Sequence, residues 1–160
     1  MARGRIFSGV NLGSFLDSLR TALAPVAAML LAMLLKMPEY YWAPISAIVI
    51  IQSTIPPRVL SWQRFVGTAM GAVLGAALAT FFHPTALVYG VGILLCGIWA
   101  WAFDVGGAAR FAGITLSIIL LVPHAQGAWI TAWHRFLQVS VGIAVGLVVT
   151  ILWPLPKKAA

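Results

Sequence analysis

From Phe65 to Phe103 the chain carries no Asp, Glu, Lys or Arg, a run of 39 residues. A helix that crosses the hydrocarbon of a bilayer needs about 20 consecutive apolar residues. This one stretch therefore has the length of a hairpin of two spanning helices. The composition agrees, with 62% hydrophobic and 8% charged residues and a mean hydropathy of +1.01. The sequence is that of an all-α membrane protein.

Breakers divide the apolar runs into six helices, expected over 19–36, 40–55, 61–82, 85–103, 107–122 and 128–153. Pro38 beside Lys36 and Glu39 ends the first, because proline cannot continue a helix and the charges prefer water. Pro56-Pro57-Arg58 ends the second, and His83-Pro84 splits the uncharged run. Asp104 with Gly106-Gly107 makes the next turn, and residues 123–127 the last. Pro154 and Pro156 precede Lys157 and Lys158. Residues 1–18 are expected to form a cytoplasmic segment. There Ile6, Phe7, Val10, Phe15, Leu16 and Leu19 suit either an interfacial helix or an ordered tail. Residues 19–153 form the transmembrane domain, and 154–160 a short basic cytoplasmic tail. No cleavable signal peptide is evident.

The chain repeats itself. Trp62, Arg64, Phe65, Gly71 and Gly75 recur 71 positions later as Trp133, Arg135, Phe136, Gly142 and Gly146, and the same offset carries Ser46 onto Ser117. The repeats cover 19–82 and 85–153. Placing the N-terminus in the cytoplasm puts Arg3, Arg5, Arg20, Arg58, Arg64, Arg110, Lys157 and Lys158 on that side, and only Lys36 and Arg135 opposite. Positive charge collects on the cytoplasmic side, so both termini are expected inside. Three helices per repeat is an odd number, so the two repeats run in opposite senses, as in many secondary transporters.

Arginine is costly in a bilayer. Arg64 stands early in the third helix, where it suits an interfacial anchor as well as a site. Arg135 lies against the charge bias, and deeper in the sixth if that helix begins near Ala128; a start near Trp133 returns it to the interface. A guanidinium fork matches a carboxylate, so an anionic substrate is expected wherever either arginine faces a cavity. Tyr41 and Trp42, with Trp129 and Trp133, form an aromatic belt or stack on a substrate. Ser46, Thr115 and Ser117 offer hydroxyls, and Gln138, in the place of Gly67, is expected to face protein. Gly67, Gly71 and Gly75, with Gly142 and Gly146, form ridges that let another helix approach closely. Pro25 and Pro44 free carbonyls within helices one and two.

The three acids Asp17, Glu39 and Asp104 and the histidines His83, His124 and His134 are all expected at interfaces. Cys96 sits in an apolar run as a small buried residue. No metal-ligand cluster, phosphate loop or activated nucleophile is visible, so no cofactor and no enzyme activity is expected. The +7 charge forms no stripe interleaved with aromatics, which argues against nucleic acid.

Tyr41-Trp42-Ala43-Pro44-Ile45-Ser46, the run ending Ile50-Ile51-Gln52-Ser53, and Arg64-Phe65-Val66-Gly67-Thr68-Ala69-Met70-Gly71-Ala72 resemble the fusaric acid resistance family of bacterial inner-membrane proteins, also called aromatic acid exporters. The resemblance is best over 40–82 and returns over 107–153. It implies proton-driven efflux of aromatic carboxylic acids or related amphipathic compounds. Arg64, Gly67, Thr68 and Gly71 match its motif directly, and Arg135 only through the internal repeat. Many relatives carry a cytoplasmic domain and a second membrane block that this sequence lacks, which implies a homo-oligomer or a partner membrane chain. The alternative is a non-transporting scaffold or accessory subunit that uses its arginines for lipid headgroups.

Overall fold

The structure, a computed structural model, describes residues 12–123 and 126–154. Arg3, Arg5, Ile6, Phe7, Val10, His124, Pro156, Lys157 and Lys158 lie outside them. The described residues form helices and no strand: α1 (Leu12–Leu34), α2 (Trp42–Gln52), α3 (Pro57–Phe81), α4 (Ala86–Ala102), α5 (Ala109–Leu121) and α6 (Ala128–Leu152), with a 3₁₀ turn (Gly106–Ala108) leading into α5. Three of them, α1, α3 and α6, are long and apolar enough to cross a membrane. The sequence predicts six full spans. At 1.5 Å per residue the 11 residues of α2 and 13 of α5 rise about 16 and 20 Å, short of the roughly 30 Å of hydrocarbon.

Local chemistry sets the ends. Pro57 opens α3, where its missing N–H costs nothing, and the Thr85 hydroxyl caps α4 by accepting from the Val88 N–H. Nothing between Leu12 and Leu34 stops a helix, so α1 starts well before residue 19, and Pro25 lies inside it. The C-termini of α1 and α4 close in the same way. Lys36 and Asp104 take left-handed backbone, with φ of 52° and 55°. Their N–H groups bond to Met33 and Trp101 carbonyls at 2.9 and 3.1 Å. The next N–H groups, of Met37 and Val105, bond back to Ala32 and Ala100 at 3.0 and 2.8 Å. This is the Schellman closure, normally built on glycine. Lys36→Gly is expected to raise the stability of the detergent-solubilised chain by about 1 kcal/mol, and Asp104→Gly by less, because aspartate tolerates this backbone better than lysine. Thermal melting checks both.

Packing exchanges partners between the halves. Consecutive helices α2 and α3 hardly touch, nor do α5 and α6; instead α3 lies along α5 and α6, and α6 along α2. The glycine ridges make this possible. A Cβ on Gly71 would overlap the Ala112 backbone of α5, and one on Gly142 would overlap the Ala43 carbonyl of α2. One turn on, a Cβ on Gly75 would stand 3.2 Å from Ile119, and one on Gly146 3.0 Å from Ile50. Bare backbone at these points brings the helices into the close contact that drives association in lipid.

The long helices α3 and α6 cross antiparallel. Leu60 packs with Val139 and Ile143 at one end of the crossing, and Ala72 and Ala76 with Ala132 and Ala128 at the other. Between them the Phe65 and Phe136 rings meet with centroids 5.0 Å apart. On the flank, Ala28 and Ala32 of α1 pack on Ala43 and Ala47 of α2. Cys96 is buried in the α3–α4–α5 cluster.

Candidate functional site

Arg64 and Arg135 are each the eighth residue of their helix, α3 and α6, and both turn into protein, with 9% and 4% of their surface exposed. They meet on one helix, α2. Arg64 donates through Nη2 to the Ser46 hydroxyl at 3.1 Å, which itself donates to the Trp42 carbonyl one turn earlier. Arg135 lays its guanidinium over the Trp42 ring, 3.7 Å from the centroid. Arg64 stands 5.0 Å from the Phe111 ring of α5. Each arginine thus faces an aromatic ring of a short helix in the other half, a favourable contact for a desolvated guanidinium.

The two arginines differ in their countercharges. Arg135 pairs with Glu39 at 2.9 Å. Arg64 has no acidic partner among the described residues, and a second cation, Arg110, lies 4.7 Å from the same Phe111 ring. Asp17, meanwhile, is held by Arg20 at 3.0 Å, and Arg20 also donates to the Trp153 carbonyl at the end of α6.

Around α2 several buried donors lack an acceptor: Arg64 Nε, Arg135 Nε and Nη1, and Trp42 Nε1. A buried polar group left without a partner costs about 1–3 kcal/mol, more when charged. All four donate. A carboxylate, with two oxygens and no hydrogen to give, is the natural complement.

The structure therefore brings Arg64, Arg135, Trp42 and Ser46 together. Tyr41 borders them, exposed, with its ring 5.6 Å from Trp42. Ser117 joins a different set, bonding to Tyr89 at 3.0 Å and to the Gly113 carbonyl at 2.7 Å. The glycine contacts explain the difference. Gly75 meets Leu116 and Ile119, whereas Gly146 meets Ala47 and Ile50, so α2 and α5 correspond at an offset of 69, not 71. Thr115, which is buried, takes the place of Ser46, and Phe111 that of Trp42. The connection 122–127 is two residues longer than 53–56, which accounts for the slip.

Sequence reasoning missed Glu39, Phe111 and Arg110. Phe111 carried a usable signal, being the aromatic residue at the helix start equivalent to Trp42. Gln138, 1% exposed, donates to the Pro38 carbonyl. At the far end of α3 and α5 a depression of about 390 Å³ opens among Ala79, Pro84, Ile119, Pro123, Gln126 and Ala128. Ala72, Ala76 and Ala132 pack with its Ile119 and Ala128.

Comparison with known proteins adds a family. Residues 26–149 match the fusaric acid resistance protein-like family. An uncharacterized transporter of Escherichia coli K12, YdhK, is 30% identical over 154 residues, covering 89% of this chain and 23% of its own length, and the same protein of Escherichia coli O157:H7 matches equally. The chain spans less than a quarter of these curated relatives. No solved structure matches it.

Proposed function

The chain belongs to the fusaric acid resistance protein-like family, and on that footing we propose that it is the membrane block of a secondary exporter that carries anionic aromatic or amphipathic compounds across the bacterial inner membrane. The family match and helices apolar enough to span make it a membrane protein of a transporter family. An anionic cargo is supported by a single observation: the buried N–H donors without acceptors at Arg64, Arg135 and Trp42.

In this reading the two halves form an inverted repeat about an axis through the Phe65–Phe136 contact. Equivalent residues that touch each other are the mark of a two-fold relation. The crossed arginine–aromatic pairs, the crossed glycine contacts and the matching closures of α1 and α4 support it. Both termini are cytoplasmic, and the axis lies within the bilayer. Arg64 and Arg135, each next to it, then sit near the midplane, where transporters of inverted design hold their substrates. Ser46 fixes the Arg64 fork, and Trp42 offers a stacking face. A second copy, or a partner membrane chain, completes the wall beside the short helices α2, α4 and α5.

Liposomes containing the purified chain test this. Under an imposed pH gradient they are expected to accumulate a labelled aromatic carboxylate and not its uncharged amide. Vesicles inert toward a broad panel of organic anions would instead favour a scaffold or accessory subunit.

A further inference from the structure

We propose that Glu39 is a resident carboxylate that occupies the Arg135 half of the anion site and yields it to the substrate's own carboxylate. This rests on the reading of Arg64 and Arg135 as an anion site.

Three observations single out Glu39. Its carboxylate is 2.9 Å from Arg135 Nη2, yet its side chain is 43% exposed, against 5% for the arginine. The group that holds the arginine therefore reaches it from the more exposed side. Glu39 also has left-handed backbone, φ 52°, an uncommon state for a non-glycine residue that persists only where its surroundings impose it. Finally, Glu39 supplies one bond to a fork that still has two buried nitrogens unfilled, Nε and Nη1. A pair that leaves Nε free is incomplete, and a bidentate carboxylate satisfies such a fork better.

The two halves differ at this point in a way that locates the movable side. In the second half the turn before α5 sits directly against α3: the Ala108 carbonyl fills the space where a side chain on Gly67 would stand, and the Gln63 side chain lies against Gly107. In the first half Gln138 stands in place of that glycine and reaches the Pro38 carbonyl, while Arg135, one turn back, holds Glu39. The polar ties of the turn 35–41 to α6 are thus two side chains that can let go, beside the packing of Met37 in the cluster that Val141 and Val145 of α6 also join. A substrate anion arriving at Arg135 replaces the Glu39 bond with an equivalent one and releases one of these two ties, leaving Gln138 on Pro38.

An intramolecular competitor lowers apparent affinity by the fraction of time it vacates the site. The pair is exposed only at its carboxylate and makes one of the fork's possible bonds, so the expected effect is moderate. In the full chain in lipid nanodiscs, Glu39→Gln is expected to tighten benzoate binding about five-fold and to leave benzamide unchanged. Glu39→Ala is expected to do the same, and Arg135→Ala in the Glu39→Gln background to cancel the gain. Wild-type benzoate affinity in folded Glu39→Gln, alongside loss of binding in Arg64→Ala, overturns the proposal while the anion site stands. Benzoate binding to neither wild type nor Glu39→Gln overturns the anion site, and the proposal with it.

Discussion

Gly71→Val and Gly142→Val are expected to leave little folded protein, each lowering stability by about 3 kcal/mol or more. The cost is steric and has no cheap escape. At Gly71 the atoms in the way are the carbonyl and Cα of Ala112, and at Gly142 the Ala43 carbonyl and the Ser46 Cβ, so helix axes must separate rather than side chains turn. Separation loses every contact along the ridge, and lipid offers no hydrophobic gain to replace them. Gly97→Val is the control, because a Cβ there meets nothing within 4 Å. Valine is no worse than glycine in a helix interior, so no loss of stability is expected there. Size-exclusion profiles and melting in detergent separate the cases. Wild-type behaviour of Gly71→Val would mean that α3 and α5 do not touch as described.

Arg64→Ala is expected to cut anion binding and transport by about 10- to 100-fold, the equivalent of the 1.5–3 kcal/mol that hydrogen bonds to charged groups contribute. It is also expected to fold as well as wild type or better. Arg64 is buried with no acidic partner among the described residues and with Arg110 nearby, and removing an uncompensated buried charge relieves a cost. This combination, function lost and stability kept, is what separates a binding residue from a structural one. Arg64→Lys keeps the charge without the fork and is expected to fall between. Arg135→Ala differs, since it strands Glu39 and loosens the turn 35–41. Undiminished transport by a folded Arg64→Ala protein would remove Arg64 from the site.

The sequence showed the solvent, the breaks and the repeat because each depends on local composition. Pro56-Pro57, His83-Pro84 and Gly127 mark helix ends wherever they occur, and glycines spaced by four need only a helix to form a ridge. What the ridges pack against was not legible. Gly71 and Gly142 carry no mark naming α5 and α2 as their partners, and that exchange is decided by the whole bundle. An offset of 71 pairs the glycines of α3 and α6, whereas the contacts of α2 and α5 pair at 69, because two extra residues in 122–127 lie between them; 71 therefore points from Ser46 to Ser117, and 69 to Thr115. Glu39 read as a loop carboxylate bound for water; its reach to Arg135, about a hundred positions away in sequence, depends on a backbone turn of positive φ that no glycine announces. Arg64 and Arg135 were legible as costly residues needing partners, whereas their shared platform on α2 was not.

The partner exchange also has a consequence during synthesis. As the nascent chain leaves the ribosome, α1 and α2 can close on each other through Ala28, Ala32, Ala43 and Ala47. The third helix arrives with its bare ridge and finds no mate, because Ala112 has not yet been translated. It must wait in lipid until the later half is inserted, and α2 waits likewise for Gly142. Closure therefore comes in two late steps, α3 when α5 arrives and α2 when α6 arrives, and the interval before them is when the unpaired ridge is most open to quality-control proteases.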